Sequence, residues 1–342
     1  MIAPIALLGA GALALAAREA WMRSRELDLR DRTVLVAGAS RGLGFLLARE
    51  FGLEGARVAI CARDEVTLAR AVSELRDRGV EVWAMPCDVS DRAAVDTWIQ
   101  GARERFGDVD VLVNNAGILE VGPVEAMGIA DFERALGTIL WGPLYTTLAV
   151  LPEMRRRGEG RIVNVASIGG KIATPHLLPY VTAKFALVGL SEGLRAEVAA
   201  DGVKVTTVVP GFMRTGSDLG AAVRADDPKR EFAWFALGES PGLSIDAEGA
   251  AKRIVRATKR GEAELILSLP ANIAARLWPL APGVAADLMS LFERVVMSTG
   301  ERPVDATGRS ADASIAAGPY AALRAWQRRA AETLQHLGAP TR

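Results

Sequence analysis

The sequence predicts an α/β fold built on a doubly wound parallel sheet with helices on both faces, and three observations carry that reading. From Arg32 onward, short apolar runs rich in β-branched residues alternate with longer helical stretches. The runs are nearly continuous in hydrophobicity, as strands are when helices cover both faces. Turn residues and polar motifs follow the runs directly, at the carboxyl ends of the strands where such sheets bind ligands.

Seven strands are expected, at 33–37, 57–61, 81–85, 109–113, 161–165, 204–208 and 264–267. Right-handed crossovers between them give the doubly wound arrangement. The organisation expected is an apolar N-terminal helix over 1–25, a catalytic body over 30–270 and a helical C-terminal extension over 271–342. At 342 residues, half of them hydrophobic, the chain can bury a large core. Lys plus Arg and Asp plus Glu each number 41, so the net charge is zero and no basic field argues for nucleic acid. Cys61 and Cys87 are the only cysteines and read as reduced thiols at strand ends. His176 and His336, the only histidines, lie far from both in sequence, so no metal-ligand cluster is expected.

Residues 1–17 carry no charged side chain and end at Arg18. Their length lies at the lower edge of what spans a bilayer, which makes a short membrane anchor the expectation. A cleaved signal peptide is the rival, because Ala12-Leu13-Ala14 and Ala14-Leu15-Ala16 have the small-x-small form. A packing helix is the third reading. Arg18, Arg23 and Arg25 follow the apolar run and no Lys or Arg precedes it, which places the body of the protein in the cytoplasm, on the inner face of the membrane.

The first motif follows the first strand and opens a helix: Gly38-Ala39-Ser40-Arg41-Gly42-Leu43-Gly44. Gly38 permits a tight turn, Gly42 lets backbone approach a pyrophosphate, and Gly44 allows close packing, while the helix N-terminus offers free amides to phosphate. After the second strand stands Ala62-Arg63, where a carboxylate would hold the ribose 2′-hydroxyl of NAD. Arg63 and Arg41 could instead flank a 2′-phosphate, so NADP(H) is the expected cofactor. Asp88 and Val89, after the third strand, could receive the adenine; a helix cap is the plainer role for Asp88. Asn114-Asn115-Ala116-Gly117 follows the fourth strand, where its amides need partners if buried. Ser167 ends the fifth strand. Tyr180 and Lys184 share a helix face at four-residue spacing, and a nearby ammonium favours the phenolate, which predicts a lowered tyrosine pKa.

With the glycine turn, Asn-Asn-Ala-Gly, a serine and Tyr-x-x-x-Lys in this order, the chain resembles the short-chain dehydrogenase/reductase family of the classical type, from about residue 32 to 269. The resemblance implies a Rossmann-like fold and hydride transfer between NADP(H) and a carbonyl/alcohol pair. It implies that Tyr180 is the general acid/base, that Ser167 hydrogen-bonds the reacting oxygen, and that Lys184 binds the nicotinamide ribose. Gly38, Ser40, Arg41, Gly42, Leu43 and Gly44 resemble the phosphate turn, Asp88 and Val89 the adenine contact, and Asn115 with Ala116 and Gly117 the ribose side. Pro210, Gly211 and Phe212 resemble the segment that closes over the nicotinamide, with Thr215 as the carboxamide contact. A homo-oligomer, dimer or tetramer, is expected as well.

One position departs from the family pattern: Ile139 stands where an asparagine commonly helps a water connect the lysine to solvent. Isoleucine has no hydrogen-bonding group. Thr138 or a backbone carbonyl could serve instead. A membrane-tethered, cofactor-binding sensor or scaffold with weak turnover is the alternative that Ile139 supports.

Residues 216–242 read as a loop-like lid, with Phe232, Trp234 and Phe235 suited to a hydrophobic ketone or aldehyde, or the matching alcohol, of steroid-, retinoid- or lipid-like character. Packing on the core is the other role for these aromatics. Leu177 and Leu178 are expected at the same mouth, and His176 reads as a polar loop residue. Residues 270–297 alternate apolar helices with proline breaks and could cover the pocket, pair with another subunit or lie on a membrane. Residues 299–318 read as a mobile linker and 320–337 as a short amphipathic helix.

Overall fold

The computed structural model describes residues 26–297 and 303–315 together with Ala20, Arg23 and Leu334. The expected apolar helix over 1–17 lies outside the described residues, as do His336 and, but for Leu334, the expected helix over 320–337.

In chain order the elements begin β1 (Thr33–Ala37), α1 (Gly42–Leu53), β2 (Arg57–Ala62), α2 (Glu65–Asp77), β3 (Val82–Pro86), α3 (Arg92–Phe106) and β4 (Val111–Asn114). They continue with β5 (Glu120–Val121), α4 (Ile129–Leu136), a π-helical turn (Gly137–Trp141), α5 (Gly142–Arg157), β6 (Gly160–Val165) and α6 (Leu178–Glu197). Next come β7 (Val203–Pro210), β8 (Met213–Arg214), β9 (Ala222–Ala225), α7 (Pro228–Gly238), β10 (Ile245–Asp246) and α8 (Ala247–Arg260). The last are β11 (Glu264–Leu267), α9 (Leu269–Leu277), α10 (Pro282–Val296), β12 (Val304–Thr307) and α11 (Gly308–Ile315).

Seven strands form one parallel sheet in the order β11-β7-β6-β4-β1-β2-β3, the doubly wound arrangement expected. The alternation inside β1 shows how it is covered. Val34 and Val36 join Phe45, Phe51, Ile60 and Ile254 on one face, where α1 and α8 pack on each other. Leu35 and Ala37 join Trp98, Ile99 and Met154 on the other, beneath α3 and α5. Each such fully buried aliphatic side chain contributes about 1.5–3 kcal/mol.

The fourth strand begins two residues later than expected. The Val109 amide donates to Glu153 Oε1 at 3.1 Å, so a side chain takes the place of the ladder at that residue, while the Asp110 backbone still pairs with Thr33 and Arg161. Residues Ile129–Arg157 are apolar enough to cross a membrane, yet half of their most apolar stretch is buried, with α5 against β4 and β6 and α4 against α6, as in a core helix.

Two further corrections concern the region beside the sheet. The expected loop at 216–242 holds β9 and α7, and the expected linker at 299–318 holds β12 and α11. A three-stranded sheet, β12-β9-β5, joins these pieces; β9 runs parallel to β5 and antiparallel to β12. Arg224 fastens it, bonding Asp131 on α4 at 2.6 Å and Asp305 on β12 at 3.0 Å. Backbone pairing holds this small sheet, which polar composition does not reveal.

Candidate active site

A cleft of about 1200 Å³ opens at the carboxyl ends of the main strands. The glycine turn forms its floor. Gly38 and Gly42 have φ of +73° and +57°, where side chains other than glycine are strained. A Cβ on Gly38 would meet the Ala116 Cα at 2.6 Å, and one on Gly44 would meet the Gly38 carbonyl oxygen at 2.1 Å. Asn115 Nδ2 donates to that same carbonyl at 2.8 Å. Arg41 stands at the N-cap of α1 with no side chain capping the helix and no acidic residue in its first turn. Free amides behind an uncrowded turn form a cradle that fits a pyrophosphate.

Beneath this floor a buried polar chain pins β4, β6 and β7. Thr146 Oγ1 donates to Asn114 Oδ1 at 2.7 Å, Asn114 Nδ2 to Asn164 Oδ1 at 2.9 Å, and Asn164 Nδ2 to Ser191 Oγ at 3.1 Å. Thr207 Oγ1 completes it with Ser191 Oγ at 2.8 Å. Asn114 thus serves the framework, and Asn115 reaches the cleft.

At one end of the cleft Arg41 and Arg63 come together. Desolvation, followed by the like charges of Arg63 and Arg309, pushes the Arg41 guanidinium below its ordinary value, and Asp64 offsets this in part. Asp64 is already engaged in capping α2 through the Thr67 amide at 2.7 Å. Asp88 lies 4.0 Å from Arg63 and accepts from both the amide and hydroxyl of Ser90, so it shapes the turn, while Asp91 caps α3. A cation cluster of this kind is relieved by an anion.

At the other end, Ser167 follows β6 and Tyr180 and Lys184 lie in the first two turns of α6. Ser167 Oγ accepts from the Gly169 amide at 3.1 Å, and its hydroxyl stands close enough to Tyr180 to favour the phenolate. The Lys184 ammonium donates to the Val165 carbonyl at 2.8 Å and lies 5.6 Å from the centre of the Tyr180 ring. Here the structure corrects the expectation of a lowered tyrosine pKa. Burial raises the phenol, with Ser167 offsetting part of the effect, and burial pushes Lys184 down to about 7. The shared helix face is real, but the lysine turns to a carbonyl, and near neutrality its charge is only partly present.

Lysine titrating at about 7 in the fold and at 10.5 when unfolded has a defined sign. Below pH 7 both states carry the proton and the fold bears the full cost of burying it. Between pH 7 and about 10.5 the unfolded chain binds more protons, so this contribution to stability rises with pH. Lys184→Met, without nucleotide, should therefore melt above the parent at pH 7 by on the order of a few kcal/mol, and the two should converge near pH 10. Thermal unfolding across that range checks it; a gap independent of pH would contradict it.

Ile139 lies within the π-helical turn and is fully buried among Ala135, Ala166, Ala183, Leu187 and Val188. Thr138, its neighbour, faces the cleft with Lys184. Turns of this type inside helices are frequent at functional sites.

Opposite Tyr180 the cleft is apolar. Trp234 of α7 packs edge-on against Phe212 at 5.9 Å and against Phe292 at 6.4 Å. The aromatics of α7 divide their roles: Trp234 faces the cleft, and Phe232 is buried against Gly308. Met289, Phe292 and Val296 of α10 complete the wall, although 270–297 had no single expected role. Their spacing of three and then four residues in the sequence carried the signal. His176 differs from the polar loop residue expected: it is buried, at φ +59°, with Nδ1 2.9 Å from Glu231 Oε1 on α7. That contact ties the segment before Tyr180 to α7.

The cleft thus gathers Ser40, Arg41, Leu43, Arg63, Asp88, Val89, Asn115, Ala116 and Gly117 at one end with Ser167, Tyr180, Lys184, Pro210, Gly211, Phe212 and Thr215 at the other. Gly44 lies beneath the turn. Among the described residues no group of three or more His, Cys, Asp or Glu could hold a metal, and Cys61 and Cys87 are buried free thiols.

Residues 32–226 match the family model described as short chain dehydrogenase. The chain is 34% identical over 278 residues to Dehydrogenase/reductase SDR family member 7B of Bos taurus, covering 79% of this chain and 83% of that one. It is 32% identical over 241 residues to Ketoacyl reductase HetN of Nostoc, covering 70% and 79%. Among solved structures, an actinorhodin polyketide ketoreductase with NADPH superposes with a TM-score of 0.61 at 32% identity, covering 69% of this chain and 95% of that one.

Proposed function

Because the chain belongs to the short-chain dehydrogenase family and is therefore an oxidoreductase, we propose that it is an NADP(H)-dependent enzyme interconverting a hydrophobic ketone or aldehyde with its alcohol. The observation that carries this reading is the single cleft that holds the glycine cradle and arginine pair at one end and Ser167, Tyr180 and Lys184 at the other. The nicotinamide, when bound, supplies or accepts the hydride. Gly38 to Gly44 would hold the pyrophosphate, Arg41 and Arg63 the 2′-phosphate, and Thr215 the carboxamide.

The chain's own residues handle the proton. Tyr180 donates it to the carbonyl oxygen during reduction and removes it from the hydroxyl during oxidation, and Ser167 steadies the same oxygen. A phenol raised by burial stays protonated at neutral pH, which suits the reductive direction. Lys184, held near neutrality, can pass a proton toward Thr138 at the cleft wall. The apolar wall of Phe212, Trp234 and Phe292 suits a hydrophobic substrate and excludes water from the reacting atoms. The protein is further proposed to work as a homo-oligomer with its body at the cytoplasmic face of a membrane, tethered through residues 1–17.

Consumption of NADPH across a panel of ketones, aldehydes, steroids and retinoids tests the reading. Tight NADPH binding without turnover of any of them would favour a cofactor-binding sensor, the reading that the buried Ile139 supports. Ile139→Asn should lower stability by about 1–3 kcal/mol, since its amide enters an apolar cluster, and should leave turnover within about threefold. A gain of tenfold or more in steady-state rate would instead show that proton supply limits the enzyme.

A further inference from the structure

Two consecutive helices in the C-terminal third present one long apolar face to the outside. On α9, Leu269, Ile273 and Leu277 recur every four residues, and Leu280 follows at the turn. On α10, Val284, Leu288, Leu291 and Val295 continue at spacings of four and three. All eight are between 50 and 77% exposed. From 269 to 297 only Arg276, Asp287, Glu293 and Arg294 carry charge, and these cancel. Monomeric soluble proteins rarely leave so long an apolar strip in water.

We propose that this face is a docking surface for the hydrocarbon edge of a lipid bilayer, on which α9 and α10 lie in the interface plane. Their pattern is that of interfacial helices, with an apolar face long enough to enter the headgroup boundary. The chain itself argues for lipid as the occupant. Residues 1–17 are uncharged, and the described structure fixes the end of the segment that follows them: the Leu27 amide donates to the Lys259 carbonyl at 3.0 Å, and Glu26 pairs with Arg260 at 2.7 Å. That point is the carboxyl end of α8, and β11, four residues or about 13 Å long, leads from there to α9. Residues 18–25, at most about 3.3–3.6 Å each, can cover that span. One bilayer can therefore take both the uncharged segment and the strip. The cancelled charges specify a neutral surface, held by apolar burial rather than by attraction to anionic headgroups.

The inner side of the same helix gives the docking a consequence. Met289, Phe292 and Val296 of α10 line the cleft that Tyr180 faces, so one helix separates the lipid side from the site. This second step rests on the proposed function; the docking itself does not.

Flotation of the full chain with phosphatidylcholine vesicles tests the docking without any turnover assay. Leu13→Arg, which places a charge in the uncharged segment, should still float, and equally at high salt. Adding Leu280→Gln, Leu288→Gln and Leu291→Gln should lower vesicle partitioning by on the order of a hundredfold and leave the melting temperature unchanged, since all three side chains are exposed. Failure of Leu13→Arg to float would overturn the proposal. So would glutamine substitutions that leave partitioning intact, or that convert a dimer to a monomer in size-exclusion chromatography without changing flotation, which would assign the face to a second copy.

Discussion

Tyr180→Phe should lower kcat for carbonyl reduction by roughly 10²–10⁴-fold, the usual contribution of a positioned acid, with NADPH affinity nearly unchanged. The substitution removes one oxygen from a half-buried ring and leaves its packing against Leu177 and Val181 in place. Ser167 then keeps the Gly169 amide as a partner. Fluorescence titration with NADPH beside single-turnover kinetics separates the two effects. Retained turnover would overturn the assignment of the acid. The raised phenol also predicts how the parent behaves: alcohol oxidation, which needs the phenolate, should still be rising at pH 9, while reduction should not gain from alkali.

Arg41→Ala with Arg63→Ala should raise KM for NADPH on the order of a hundredfold and leave KM for NADH within a few-fold. Each guanidinium hydrogen-bonded to a phosphate contributes about 1.5–3 kcal/mol, and NADH lacks that phosphate. The substitutions also relieve repulsion between two neighbouring cations, so the protein without nucleotide should be no less stable. Equal losses for both nucleotides would place the arginines elsewhere in the mechanism.

What could be read without coordinates follows from where the chemistry sits. The main strands were legible because burial on both faces makes them continuous apolar runs, and the glycine turn because steric limits leave no other residue at Gly38. The positions of Ser167, Tyr180 and Lys184 were legible from spacing; their electrostatics were not. Whether an ammonium tunes a phenol depends on where its carbon chain bends, and Lys184 bends to the Val165 carbonyl. The small sheet was hidden because β9 and β12 are four residues each and mostly polar or small. The pairing of His176 with Glu231 was hidden as well, since 55 residues separate them and neither has a motif around it.

The small sheet β12-β9-β5 has a dynamic consequence. Its pairings join Glu120 to Ala222 and Ala225 to Val304, segments further apart along the chain than any neighbours in the main sheet. Few residues on each side hold these joins, so they lie at the low end of the free energies of local opening. The wall above Tyr180 can therefore detach and reseat as its own cooperative unit, with the parallel sheet and its buried Thr146–Asn114–Asn164–Ser191 chain undisturbed. Amide exchange in the parallel sheet is therefore expected on the slow timescale of global unfolding, and exchange in the small sheet on the faster timescale of local opening.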